Sequence, residues 1–254
     1  MPGVGKTSMV THAEAPVFLL SPLGSGLLTL VRNGLVPQVP YFTFRTPDGR
    51  ISPTAPTWND ALDAVRSLID DPGDRKTLIV DELGGGFERL CHEHVCQTYL
   101  KNNWGETGFA GYQRGYEMAI PAWRELLKLF EELRFRRRLA IIALCHVRTG
   151  TIKNNAGADW TASVPDVNDR ILTQTIGWAD DVFFLNYETT VVQLKPDIMR
   201  KGKATGGKSR VIYATNGPGH VAKNHCGLPD EIPVSSVSAE AAWNDLQNAI
   251  EGGN

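Results

Sequence analysis

A chain of 254 residues with 42% hydrophobic residues is long enough to bury a substantial α/β core. Its formal net charge of −2 excludes a general attraction to nucleic acid, so any such contact must come from a local basic patch. Only four cysteines, no apolar run of the roughly eighteen residues a membrane span needs, and no charged-then-apolar leader argue against a disulfide scaffold or a membrane protein. A cytoplasmic address is the expectation.

The chain opens on a glycine-containing loop, Pro2 to Thr7, running into a short helix through about His12. Pro16 to Leu20 reads as a buried strand and Leu27 to Val31 as a helix. Tyr41 to Phe44 is expected as a short strand and Thr46 to Pro56 as a loop. Thr57 to Ile69 is an amphipathic helix with Trp58, Leu62, Val65 and Leu68 on one face. Thr77 to Val80 is an apolar run of the kind found in a central parallel strand. Phe87 to Leu100 and Tyr116 to Arg137 read as helices around a glycine- and aromatic-rich loop. Leu139 to Leu144 is another buried strand, and Val147 to Asn168 is expected as a mobile loop. A short helix from Ile171 to Trp178 precedes a strand, Val182 to Tyr187, which Val191 to Leu194 is expected to pair. A basic, glycine-rich hairpin or loop over 195–210, a strand from Val211 to Ala214, and a helix with a tail over 239–254 complete the chain. Strands alternating with helices predict one domain over 1–254, a mainly parallel sheet flanked by helices with an antiparallel edge extension.

Two motifs carry chemistry. Gly3, Val4, Gly5, Lys6, Thr7 and Ser8 match the end of the phosphate-loop pattern G-x-x-x-x-G-K-[ST]. Glycines let backbone N–H groups curl around phosphate oxygens, Lys6 reaches the β- and γ-phosphates, and Thr7 offers its hydroxyl to Mg²⁺. A buried strand normally leads into such a loop, so the first core strand is expected to be missing from this sequence. The second motif is the apolar run ending in Asp81 and Glu82, where Asp81 would hold Mg²⁺ and Glu82 would activate water. His146, after the strand that follows, is placed to sense the γ-phosphate; the bland alternative is a rim histidine with satisfied hydrogen bonds.

Other clusters admit plainer readings. Cys91, His92, His94 and Cys96 resemble metal ligands, but helical spacing puts only two on any one face, and zinc wants four. Arg200, Lys201, Lys203, Lys208 and Arg210 would track a phosphate backbone or else form a solvated tip. Trp160, in the same polar loop as Lys153, would stack on a base of single-stranded DNA or else anchor a surface loop. The arginines at 134 and 136–138 suit a helix C-terminus.

Taken together, PGVGKTS, FLLSP, KTLIVDEL, ERLCHEHVC, ALCH, WADDVFFLNYET and HVAKNHCGLPDEIP resemble phage-type RecA-like P-loop ATPases. These are AAA-family phage nucleotide-binding proteins associated with single-strand annealing and recombination. The resemblance implies a RecA-like core, ATP and Mg²⁺, and a role in phage DNA recombination or repair on single-stranded DNA. It also implies a homo-oligomeric ring or filament with ATP at subunit interfaces. Lys223, Asn224 and His225 stand where some relatives carry Lys-Asn-Arg, which makes Lys223 the candidate lysine finger for a neighbouring site. Such cores often carry an acid after their second strand; here Ser21 to Ser25 holds none, which leaves Glu82 as the base. A non-hydrolysing assembly partner and a P-loop small-molecule kinase are the competing readings.

Overall fold

The computed structural model describes residues 3–24, 26–154, 156–188, 190–192, 203–205, 207 and 209–252. The chain begins α1 (Lys6–Val10), β1 (Pro16–Leu20), α2 (Gly26–Arg32), β2 (Phe44–Arg45), β3 (Ile51–Ser52), α3 (Trp58–Asp70), β4 (Thr77–Asp81) and α4 (Glu88–Leu100). It continues with α5 (Arg114–Arg137), β5 (Ala140–Ala143), β6 (Val147–Ile152), β7 (Trp160–Pro165), α6 (Asp169–Trp178) and β8 (Phe184–Tyr187). It closes with β9 (Thr190–Val192), β10 (Lys203–Thr205), β11 (Arg210–Tyr213), β12 (Glu231–Val234) and α7 (Ala239–Gly252).

The central sheet is parallel, in the order β1-β4-β5, with Leu20 opposite Asp81 and Val80 opposite Ala143. Side chains alternate across it. Val17, Leu19, Leu78 and Val80 enter one core with residues of α3, α4 and α5. Phe18, Leu20 and Ile79 enter a second core with residues of α1, α2 and α7. Both faces are covered, so β1 and β4 read as unbroken apolar runs rather than alternating ones. The α/β class with helices on both sides of a parallel sheet is as the sequence led us to expect. Among the described residues no strand precedes the phosphate loop, and β5 pairs on one edge only. Its residues Ile141, Ile142 and Ala143 stay only partly buried.

Helix α3 shows how local chemistry sets an element. The Thr57 hydroxyl accepts the Asp60 N–H at 3.2 Å and caps the first turn. Its apolar stripe faces α5, where Trp58 stacks on Trp123 with ring centroids 5.9 Å apart. Arg137 of α5 donates to the carbonyls of Ile69 and Asp70 and so closes the other end of α3. Trp123 is fully buried and its indole donates to Thr175 Oγ1 at 2.9 Å. Trp123→Ala is expected to cost about 3–5 kcal/mol, measured by denaturant unfolding; a loss below about 1 kcal/mol would be incompatible with this packing.

Several sequence expectations are corrected. The expected mobile loop over 147–168 is largely an antiparallel hairpin, β6 with β7, because Val147 to Ile152 pairs residue for residue with Trp160 to Pro165. Thr46 to Pro56 holds β3, which pairs β2, while Tyr41 makes only a bridge to Phe18. Strand β8 pairs β11 instead of the segment near Val191, and β9 pairs β10. With β12, which has no clear signal in the sequence, β8 and β11 form a separate antiparallel sheet in the order β12-β11-β8 rather than an extension of the central one, and β9 with β10 form another. Pairing depends on which segments meet in the fold, and local apolarity alone does not name the partner.

Candidate nucleotide site

The phosphate loop turns into α1 through Gly3 and Gly5, whose φ angles are 77° and 97°. These lie in the left-handed region, where a side chain is strained. A Cβ on Gly5 would also sit 2.6 Å from Arg210 Nη1, so a side chain there would strain the backbone and displace the Arg210 guanidinium. The loop then delivers Lys6 and Thr7 from the first turn of α1 toward the C-terminal end of β4. That end of a parallel sheet is where α/β folds place their ligands.

The Thr7 hydroxyl donates to Asp81 Oδ2 at 3.1 Å. This joins the two expected magnesium partners, an oxygen pair of the type a hard cation takes. Lys6 Nζ lies 3.5 Å from His146 Nδ1, and His146 Nε2 lies 2.8 Å from Glu82 Oε2. An ammonium only donates, so Nδ1 must be the acceptor and Nε2 carries the hydrogen that Glu82 receives. Lys6, His146 and Glu82 thus form one line beside the Thr7–Asp81 pair.

Burial sets the charges. Asp81 and Glu82 are buried, at 6% and 8% exposure. Desolvation raises the Asp81 carboxyl above its ordinary range, opposed by the Thr7 hydrogen bond and by Lys6. Glu82 is pushed up to about 7, by burial first and then by the Asp81 charge beside it. Burial also lowers Lys6, against the attraction of Glu82 and Asp81. His146 is lowered by burial and then by Lys6, which keeps its ring neutral.

Ser21 is a site residue that the sequence did not single out. It ends the loop-ward side of β1, fully buried, where its N–H donates to the Asp81 carbonyl at 2.8 Å and its hydroxyl accepts the Glu82 N–H at 3.2 Å. Gly86 is required beside it, since a Cβ there would lie 2.1 Å from Ser21 Oγ. The only signal in the sequence is a small polar residue at the end of an apolar strand. An open cleft of about 550 Å³ adjoins this region, lined in part by Gly85, Glu88, Trp104 and Asp166.

The other candidates lie apart. The Lys223 ammonium donates to the carbonyls of Ile176 and Ala179, at the C-terminal end of α6, so in this conformation it caps a helix rather than projecting to a neighbour. Arg210 does not join an exposed basic patch; its guanidinium donates to the carbonyls of Val4 and Ser235. Lys203 falls on β10, while Arg200, Lys201 and Lys208 lie outside the described residues. Lys153 and Trp160 stand at the turn end of the β6–β7 hairpin, with Lys153 paired to Asp159 at 2.7 Å. Arg134 and Arg136 pair with acids of α5, and Arg134 also with Asp180.

The dense cysteine–histidine run of α4 is packing. Cys91 and Cys96 are buried, and burial holds the Cys91 thiol well above the usual range. His92 sits edge-on to Phe109 and Tyr116, each 5.2 Å away, and burial pushes it down to about 4. Among the described residues no three His, Cys, Asp or Glu side chains converge as a metal site. Among them, too, no helix is long and apolar enough to cross a membrane.

Comparison with known proteins fits this geometry. No curated protein matches the chain. A family model described as an AAA domain matches residues 1–226 of the 254. The chain therefore belongs to the AAA domain family, whose members are ATPases of the P-loop type.

Proposed function

We propose that this chain is a phage-type RecA-like ATPase that hydrolyses ATP with Mg²⁺ and acts in DNA recombination or repair on single-stranded DNA. The observation that carries the reading is the line from Lys6 through His146 to Glu82, set beside the Thr7–Asp81 contact. Backbone N–H groups of Gly3 to Ser8 hold the phosphates and Lys6 neutralises the β- and γ-oxygens. Thr7 and Asp81 would hold Mg²⁺, which would supply charge neutralisation on the phosphate oxygens. Glu82 takes the proton of the attacking water as its oxygen bonds the γ-phosphorus and the bond to ADP breaks. His146 reports the γ-phosphate by giving up Lys6 as the phosphate takes it.

On this reading residues 1–254 act as one ATPase domain in the cytoplasm of a bacterial or phage-infected cell. Copies assemble as a ring or filament, and Lys223 serves a neighbouring site after leaving the α6 carbonyls. Single-stranded DNA contacts fall to Lys153, Trp160, Arg200, Lys201, Lys203 and Lys208, with Arg210 withdrawn from that set by its bonds to Val4 and Ser235.

The test is ATP hydrolysis by the full chain with and without single-stranded DNA. Turnover that rises severalfold with DNA supports the reading. ATP binding with no turnover in either condition would instead indicate a non-hydrolysing assembly partner. Transfer of the γ-phosphate to a nucleoside or sugar, indifferent to DNA, would indicate a small-molecule kinase.

A further inference from the structure

We propose that the C-terminal segment, residues 227–252, is a clamp that sets the grip of the phosphate loop, with Arg210 as the positioning residue that couples them. The inference rests on the nucleotide site above and adds a part that the AAA domain match, ending at residue 226, does not cover.

The coupling runs through named bonds. Arg210 Nη1 donates to the Val4 carbonyl at 3.2 Å, and Nη2 donates to the Ser235 carbonyl. The Ser235 N–H in turn donates to Asp245 Oδ2 of α7 at 2.7 Å. On β11, Arg210 lies opposite Val234 of β12, so the strand pairing fixes where the guanidinium starts. A parallel apolar contact joins the same parts: Met9 and Val10 of α1 share a core with Ala242, Trp243 and Leu246 of α7.

The bond to Val4 bears directly on phosphate binding. In a trans peptide the C=O and the following N–H point to opposite sides. Tying the Val4 carbonyl back to Arg210 therefore turns the Gly5 N–H the other way, toward the concave side where phosphate oxygens lie. Arginine suits the task because its planar fork spans two carbonyls and keeps its charge at every working pH. A lysine would have to reach both carbonyls from one nitrogen, without the planar fork that fixes Val4 and Ser235 relative to each other.

The experiment measures ADP affinity of the full-length chain and its variants. Arg210→Ala is expected to weaken ADP binding about tenfold, and Arg210→Lys by a smaller factor. Asp245→Asn, which loosens the far end of the clamp, is expected to weaken it about two- to threefold. Ile69→Val, a mild change in the opposite core, is the control: it lowers thermal stability and leaves ADP affinity as it was. If Arg210→Ala fails to fold, Arg210→Lys and Asp245→Asn carry the test. Unaltered ADP affinity in the Arg210 and Asp245 variants, beside a Lys6→Ala variant that has lost it, would overturn the clamp alone. No ADP binding by the unaltered chain would overturn both the clamp and the nucleotide site.

Discussion

Lys6→Ala is expected to weaken ATP binding about a hundredfold, roughly 3 kcal/mol, because it removes charge-assisted bonds to two phosphates. Lys6 is already held out of water, with burial lowering its pKa, so its charge acts in a medium that screens little. Part of the cost of desolvating it is met in the folded chain before any ligand arrives, by Glu82 and Asp81. The His146 contact adds direction by holding the ammonium near the loop at 3.5 Å. Thermal shift reads the effect simply. At a ligand concentration of 100 times the wild-type Kd, binding adds about 2.7 kcal/mol; after a hundredfold loss of affinity it adds about 0.4 kcal/mol. The midpoint gain would fall from roughly 5–10 °C to about 1–2 °C. An equal thermal shift in the two proteins would falsify the assignment of Lys6 to the phosphates.

Glu82→Gln is expected to separate binding from turnover. General-base catalysis contributes about 10²- to 10⁴-fold, so hydrolysis should fall by that order. ATP affinity should hold or tighten, because a carboxylate beside the phosphates is replaced by a neutral amide of the same shape. The pH profile makes the test specific. Glu82 is raised to about 7, so it is increasingly protonated below that pH and cannot accept a proton there. The kcat/KM of the unaltered chain should rise about tenfold per pH unit up to pH 7 and then level. The variant's residual rate should lack that limb. Stability carries the opposite sign. A carboxyl whose folded pKa lies above its ordinary value favours the folded state most when protonated, and that contribution is lost as pH rises toward 7. The glutamine variant should therefore melt higher than the unaltered chain at pH 8, and the gap should close near pH 4. A variant that keeps hydrolysis within tenfold of the original would remove Glu82 from the base role.

These two residues are legible in the amino-acid sequence, and for a physical reason. A phosphate loop needs glycine, lysine and a hydroxyl in consecutive positions, and a magnesium-side acid must end a buried strand, so both signals are contiguous. The same holds for β1, β4, α3 and α5, where an apolar run or stripe and its flanking caps are local. His146 is readable in the same way, as the polar residue that follows a buried strand.

Tertiary structure alone decided the rest. Ser21 became part of the site only because β1 lies beside β4, which brings its hydroxyl to the Glu82 N–H across 61 positions of chain. Lys223 is a lysine-finger candidate by resemblance and a helix cap in the fold, because α6 ends where its ammonium arrives. Cys91, His92 and Cys96 look like ligands, but their helix turns them into an aromatic and aliphatic core where charge is disfavoured. Arg210 moved furthest, from a supposed DNA-facing patch to the back of the phosphate loop 206 positions away. Sequence by itself determined the candidates for holding phosphate and metal, since that chemistry is written in neighbouring residues. Which groups hold those residues in place was decided by strand order and helix packing, because contacts between distant segments leave no local pattern to read.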